Sequence, residues 1–124
     1  DDLFAFQERF EHKNYYGLDI NQSLVNFVKK DQAYHKYLYT SQTRLTTYKA
    51  LDQLGLNYKF EKVVTRNDVK KLKPDPDGFK LIYDRNTDKS SYLMIGDSQA
   101  DKGLAENANI DFFKVDFDYY DSNY

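Results

Sequence analysis

The 124-residue chain has no cysteine and no tryptophan, and only two prolines, two histidines and five glycines. The missing cysteine excludes disulfides and thiol chemistry, and it is compatible with a reducing, cytoplasmic setting, the location we expect. No apolar run approaches the roughly 18 residues needed to span a bilayer. The opening Asp1-Asp2 lacks the basic segment before an apolar stretch that marks a signal peptide. Neither sign of charge dominates, with 18 basic and 20 acidic residues and a net charge of −2. That balance gives no electrostatic case for nucleic acid or an anionic membrane, so neither is expected as a partner.

What is present suits one soluble domain with a modest core, at 40% hydrophobic and 31% charged residues. Twelve tyrosines read as composition bias, not as a binding signature. Leu3, Phe6 and Phe10 repeat at spacings of three and four, which predicts a helix over 3–13. Asn14 and Gly17 break that pattern. Leu24, Phe27 and Val28 then share a helical face in NQSLVNFVKK, with Asn21 as a plausible cap. YHKYLYTS reads as a strand ending at Thr40 and Ser41. TRLTTYKALDQLGL reads as a helix with Leu45, Tyr48, Leu51 and Leu54 as its buried stripe and Gly55 as its stop.

FEKVVT is a short strand and RNDVKKLKPDPDG a polar loop, followed by a helix in DGFKLIYDR. SYLMIGD is apolar at nearly every position, as in a central strand covered on both faces. In SQADKGLAENA, Ser98 is the expected N-cap, Asp101 completes a near capping box, and Asn109 marks the stop. IDFFKVD is the last strand, before a polar-aromatic tail. Alternating strands and helices predict an α/β fold with a mainly parallel sheet, and ligands of such sheets bind beyond the carboxyl ends of the strands. Thr40, Ser41, Asp97, Ser98 and Asp101 therefore share one rim.

Three segments on that rim carry chemistry: Thr40-Ser41, Lys73 within Lys73-Pro74-Asp75-Pro76-Asp77-Gly78-Phe79, and Gly96-Asp97-Ser98-Gln99-Ala100-Asp101. Hydroxyls and a lysine are donors and a cation for an anionic phosphoryl group, and paired carboxylates are hard oxygen ligands suited to Mg²⁺. Each has a plain structural reading: Asp101 as a helix-dipole acid, Lys73 as solvated surface, Thr40-Ser41 as a cap, Asp75 and Asp77 as caps. Their joint order and spacing outweigh those readings. The three segments resemble the second, third and fourth motifs of the haloacid dehalogenase (HAD) superfamily: an apolar strand ending in Thr or Ser, K-P-x-P-x-x-F, and G-D-S-x-x-D. LAENANI further resembles the family's A-x-x-A-G-I, with Asn109 for Gly, and the resemblance spans roughly residues 18–116.

The resemblance implies a Rossmann-like three-layer sandwich and a Mg²⁺-dependent hydrolase, most simply a phosphoric monoester hydrolase acting on a small phosphorylated metabolite. It implies Thr40 and Lys73 as catalytic and, with Ser41, substrate-binding residues, and Asp97 and Asp101 as metal ligands. It also implies a first motif, D-x-D-x-T on a central strand, whose first Asp is the nucleophile. No such motif precedes Thr40; the acids of DDLFAFQERF come before its apolar residues, not after them. Asp116 and Asp118 have D-x-D spacing, but they fall at the family's ordinary last strand, with Tyr120 at the Thr position. We therefore expect a fold incomplete at its N-terminus, with 1–18 a helical segment from the end of a cap and 19–124 the α/β core. The absent strand is expected from a missing N-terminal segment or a second chain, because the strands bearing Thr40 and Asp97 otherwise lack their shared partner. The alternative is a non-catalytic HAD-like binding module. A receiver-type phosphate acceptor is disfavoured, since its acids come early in the chain.

Overall fold

The computed structural model describes residues 3–6, 17–20, 22–115 and 118–121, with side chains for 22–115. A five-stranded parallel sheet forms its middle layer in the order β4-β3-β1-β5-β6. The strands are β1 (Leu3–Phe6), β3 (His35–Tyr39), β4 (Lys62–Val64), β5 (Tyr92–Gly96) and β6 (Asp111–Lys114). Helices α1 (Gln22–Lys30), α2 (Arg44–Leu54) and α3 (Gln99–Ala108) flank it. A separate antiparallel pair joins β2 (Gly17–Ile20) to β7 (Asp118–Asp121).

The pleat of β3 explains the two cores. Leu38 points to one face and packs with Leu24, Val25 and Val28 of α1 and Ala50 and Leu51 of α2. Tyr37 and Tyr39 point to the other and meet Leu104, Ala105 and Ala108 of α3, together with Phe79 and Ile82. β5 obeys the same alternation, with Tyr92 and Met94 on the α3 face and Ile95 on the α1/α2 face. Buried on both faces, these inner strands are apolar at successive positions, as the sequence predicts.

Four expectations need correction. The helix predicted over 3–13 is a strand at Leu3–Phe6, and the remainder lies outside the described residues, as does the Asn21 cap. β1 pairs in parallel with both β3 and β5, so the central place thought empty is filled from within the chain. Two open backbone ladders there outweigh the weak helical periodicity of one short apolar run. In α2 the buried positions are Thr47, Ala50 and Leu51, while Leu45 is 69% exposed and Tyr48 half-exposed. The helix lays its small residues against the sheet, at spacings as helical as the predicted stripe. DGFKLIYDR is a 3₁₀ turn over Pro76–Leu81, not an α-helix, although Phe79 and Ile82 are buried as expected.

Candidate functional site

The rim opposite the strand starts is built by three short devices. At the end of β3, the Thr40 amide donates to the Val64 carbonyl (2.9 Å), and the Thr40 hydroxyl accepts from the Gln42 amide (3.1 Å). Thr40 is fully buried, and its hydroxyl keeps its own proton to donate. Ser41 is half-buried; its carbonyl accepts from Arg66 Nε at 3.0 Å. Thr43 caps α2, and Gly55 closes it in the left-handed conformation.

At the end of β5, Gly96 leads into Asp97 and then Ser98, the N-cap of α3. Ser98 and Asp101 form a full capping box. Asp101 Oδ2 accepts from the amides of Asp97 (3.2 Å) and Ser98 (3.3 Å), and the Asp101 amide donates to Ser98 Oγ (3.1 Å). Gly96 is required here, because a Cβ would stand 2.4 Å from Asp101 Oδ2. Asn109 ends α3 in the left-handed conformation, as its side chain tolerates.

The third device is the Lys-Pro loop, which lies on α3. Pro74 fits because position 103 is glycine, where a Cβ would approach the proline ring to 2.7 Å. Asn107 Nδ2 donates to the Pro74 carbonyl at 2.8 Å. Asp75 caps the 3₁₀ turn by accepting from the Asp77 amide, as predicted, whereas Asp77 lies within the turn and braces the preceding loop by accepting from the amides of Lys70 and Lys71. So held, Lys73 turns inward and its Nζ donates to Asp101 Oδ1 at 2.7 Å, with side chains only 2% and 0% exposed. Burial pushes the Lys73 ammonium below the ordinary lysine range, while the charge and hydrogen bond of Asp101, and the charge of Asp97, pull the other way.

The structure thus joins Lys73 and Asp101 directly and links Asp97 to them through its amide. Leu38, Phe6 and Ile95 stand in register across β3, β1 and β5. Thr40 and Asp97, each two residues further on, directly follow the ends of the two strands that flank β1. By sequence, β1 runs on into Gln7 and Glu8, not into D-x-D. Asp116 lies outside the described residues, and Asp118 belongs to β7, away from the central slot.

Sequence reading missed Tyr39. Its buried ring lies 5.3 Å from Lys73 Nζ, and its hydroxyl abuts Gly78, where a Cβ would fall 2.3 Å from the phenol oxygen. Burial pushes that phenol up to about 12, so it is neutral at ordinary pH. Alternation along β3 placed Tyr39 on a buried face; only the loop's return placed it beneath a lysine.

Among the described residues, no three His, Cys, Asp or Glu side chains gather as a metal cage. Both oxygens of Asp101 are engaged, by Lys73 and by backbone amides. Asp97 is the hard oxygen donor of this rim. One or two carboxylates, completed by phosphate oxygens and water, are what Mg²⁺ accepts. No helix among the described residues is long and apolar enough to cross a membrane.

Comparison with known proteins agrees with this geometry. The family model for haloacid dehalogenase-like hydrolases matches residues 5–115. The pyrophosphatase PpaX of Bacillus velezensis is 30% identical over 112 residues, covering 87% of this chain and 52% of that protein. The chain therefore spans about half the length of this curated relative. A haloacid dehalogenase-like hydrolase from Bacteroides fragilis is similar with a TM-score of 0.63 and 28% identity, over 73% of this chain and 43% of that one. The HAD-hydrolase YfnB of Bacillus subtilis, solved bound to magnesium, is similar at 0.60 and 26%, over 73% and 41%. The core domain of a phosphoglycolate phosphatase from Streptococcus pneumoniae shares the fold at 0.67 over 99% of this chain and 82% of its own, with 17% identity. The chain belongs to the haloacid dehalogenase-like hydrolases.

Proposed function

We propose that this chain is the phosphate-handling part of a Mg²⁺-dependent phosphatase, a phosphoric monoester hydrolase acting on a small phosphorylated metabolite. The observation that carries this reading is the buried Lys73–Asp101 pair beside the strand ends that bear Thr40 and Asp97. Thr40 donates its hydroxyl proton to a phosphoryl oxygen, Ser41 supports it, and Lys73 offsets the charge that develops on the group. Asp97 is the protein's metal ligand. Asp101, expected by sequence as a second ligand, is read here as a positioning residue as well, since its oxygens accept from Lys73 and from the turn that carries Asp97. The metal, when bound, supplies Lewis-acid neutralisation of the phosphoryl oxygens. The reaction calls for an attacking carboxylate that the described residues do not supply: its oxygen bonds phosphorus as the ester oxygen leaves and takes a proton. Water then cleaves the acyl phosphate, releasing inorganic phosphate and restoring the carboxylate. Relatives named pyrophosphatase and beta-phosphoglucomutase favour phosphate over halide chemistry.

One observation favours a second reading, a non-catalytic phosphate-binding module: β1 leads by sequence into Gln7-Glu8 where the family places its nucleophile. Calorimetry with inorganic phosphate and MgCl₂ tests the site shared by both. We expect Mg²⁺-dependent binding that Asp97→Ala abolishes; undiminished binding in that variant would sink the metal assignment. Hydrolysis of 4-nitrophenyl phosphate by the whole polypeptide separates the two readings, since the module binds without turnover.

A further inference from the structure

We propose that Tyr39 is a positioning residue for Lys73, holding the ammonium by its ring face while its phenol packs against the Lys-Pro loop at Gly78. The inference rests on the phosphatase reading and deepens it. The Lys73 side chain is 2% exposed, so its charge must be stabilised by groups around it and not by water. Asp101 supplies one partner at 2.7 Å, and the Tyr39 ring, with its centroid 5.3 Å from Nζ, lies within the range at which an aromatic face attracts a cation. A branched aliphatic residue would fill the same strand position but present no such face.

The other end of Tyr39 performs a different task. Its hydroxyl occupies the space that any side chain at position 78 would need, so the 3₁₀ turn after Lys73 rests directly on the phenol. Pro74 is meanwhile fixed to α3 through Gly103 and Asn107. The loop is therefore held on both sides of Lys73. Tyr39 also directly precedes Thr40, so one residue sets the end of β3 and the place of the ammonium together. The hydroxyl and the cation of the phosphate site are thereby referred to a single rigid point.

The test separates ring electronics from packing. Tyr39 is replaced by Phe and then, site-specifically, by 4-fluoro-, 3,5-difluoro- and 3,4,5-trifluorophenylalanine, which nearly conserve shape while draining the ring face of electron density. Two quantities are followed at fixed pH: water exchange of the Lys73 ammonium protons by ¹⁵N NMR, and the Kd for inorganic phosphate with MgCl₂. We expect both to rise stepwise with fluorine number, by roughly two- to fivefold across the series, with an unchanged Tm. A flat exchange series in folded protein overturns the proposal and leaves Tyr39 as packing. A stepwise exchange series in a chain that binds no phosphate supports the positioning of Lys73 and overturns the phosphatase reading on which its purpose rests. A Gly78→Ala variant tests the packing of the loop on the phenol separately: faster Lys73 exchange is expected as the loop lifts, and unchanged exchange counts against it.

Discussion

Two turns on the same rim use one piece of grammar with different results. Thr65-Arg66-Asn67-Asp68 after β4 and Ser98-Gln99-Ala100-Asp101 after β5 are both capping boxes in which an acid at the third position folds back onto the cap residue. Each acid also takes a cation from elsewhere in the chain, Arg44 for Asp68 and Lys73 for Asp101. The difference is water. Arg44 is 56% exposed and Asp68 27%, whereas Lys73 and Asp101 are closed in beneath the Lys-Pro loop. Exposed pairs are worth little because solvent screens them, while a buried pair is held only by its partners. The local motif makes the turn in both places, and burial closes one of them into the candidate site.

The sharpest way to break the comparison is Asp101→Ala. It leaves a buried ammonium without its carboxylate, and we expect a loss of about 3–5 kcal/mol in urea denaturation. Gly96→Ala comes next: the new Cβ collides with Asp101 and should cost about 1–3 kcal/mol by the same measurement. Asp68→Ala removes a capping contact and a solvent-screened ion pair and should cost about 1 kcal/mol at neutral pH. That difference should depend on pH. Burial raises the Asp68 carboxyl, but the Thr65 amide and hydroxyl and the Arg44 guanidinium outweigh it, leaving the group below its unfolded value of 3.8. Its contribution is therefore complete above that value and fades as pH falls through the lower folded value. Denaturation curves of the variant and the parent protein should converge in acid; a gap that persists there would refute the assignment. Arg44→Ala should be smallest, under about 1 kcal/mol and reduced further by salt.

Much of the site was legible because its signals are local. G-D-S-x-x-D states its own turn: a small residue where Asp101 must fold back, a capping serine, and an acid one helical turn on. The Lys-Pro box carries its cap, Asp75, within itself. What was not legible depended on partners distant in sequence. Leu3, Phe6 and Phe10 spelled a helix, yet Leu3–Phe6 pairs as a strand because β3 and β5 each offer it an open ladder. The apolar face of α2 was ambiguous because Leu45-Tyr48 and Thr47-Ala50 are spaced alike, and only the fit against the sheet chose the smaller pair.

The sequence by itself determined the strands β3, β4, β5 and β6, the helices α1, α2 and α3, the capping box of α3, the glycine at 96 and the identity of the groups on the rim, because each follows from residues within a turn or two of one another. Tertiary structure alone decided that LFAF fills the centre of the sheet, that Asp101 holds Lys73, and that Tyr39 lies beneath the ammonium. Those outcomes depend on pairing, burial and loss of water, which arise only when segments tens of residues apart are brought into contact.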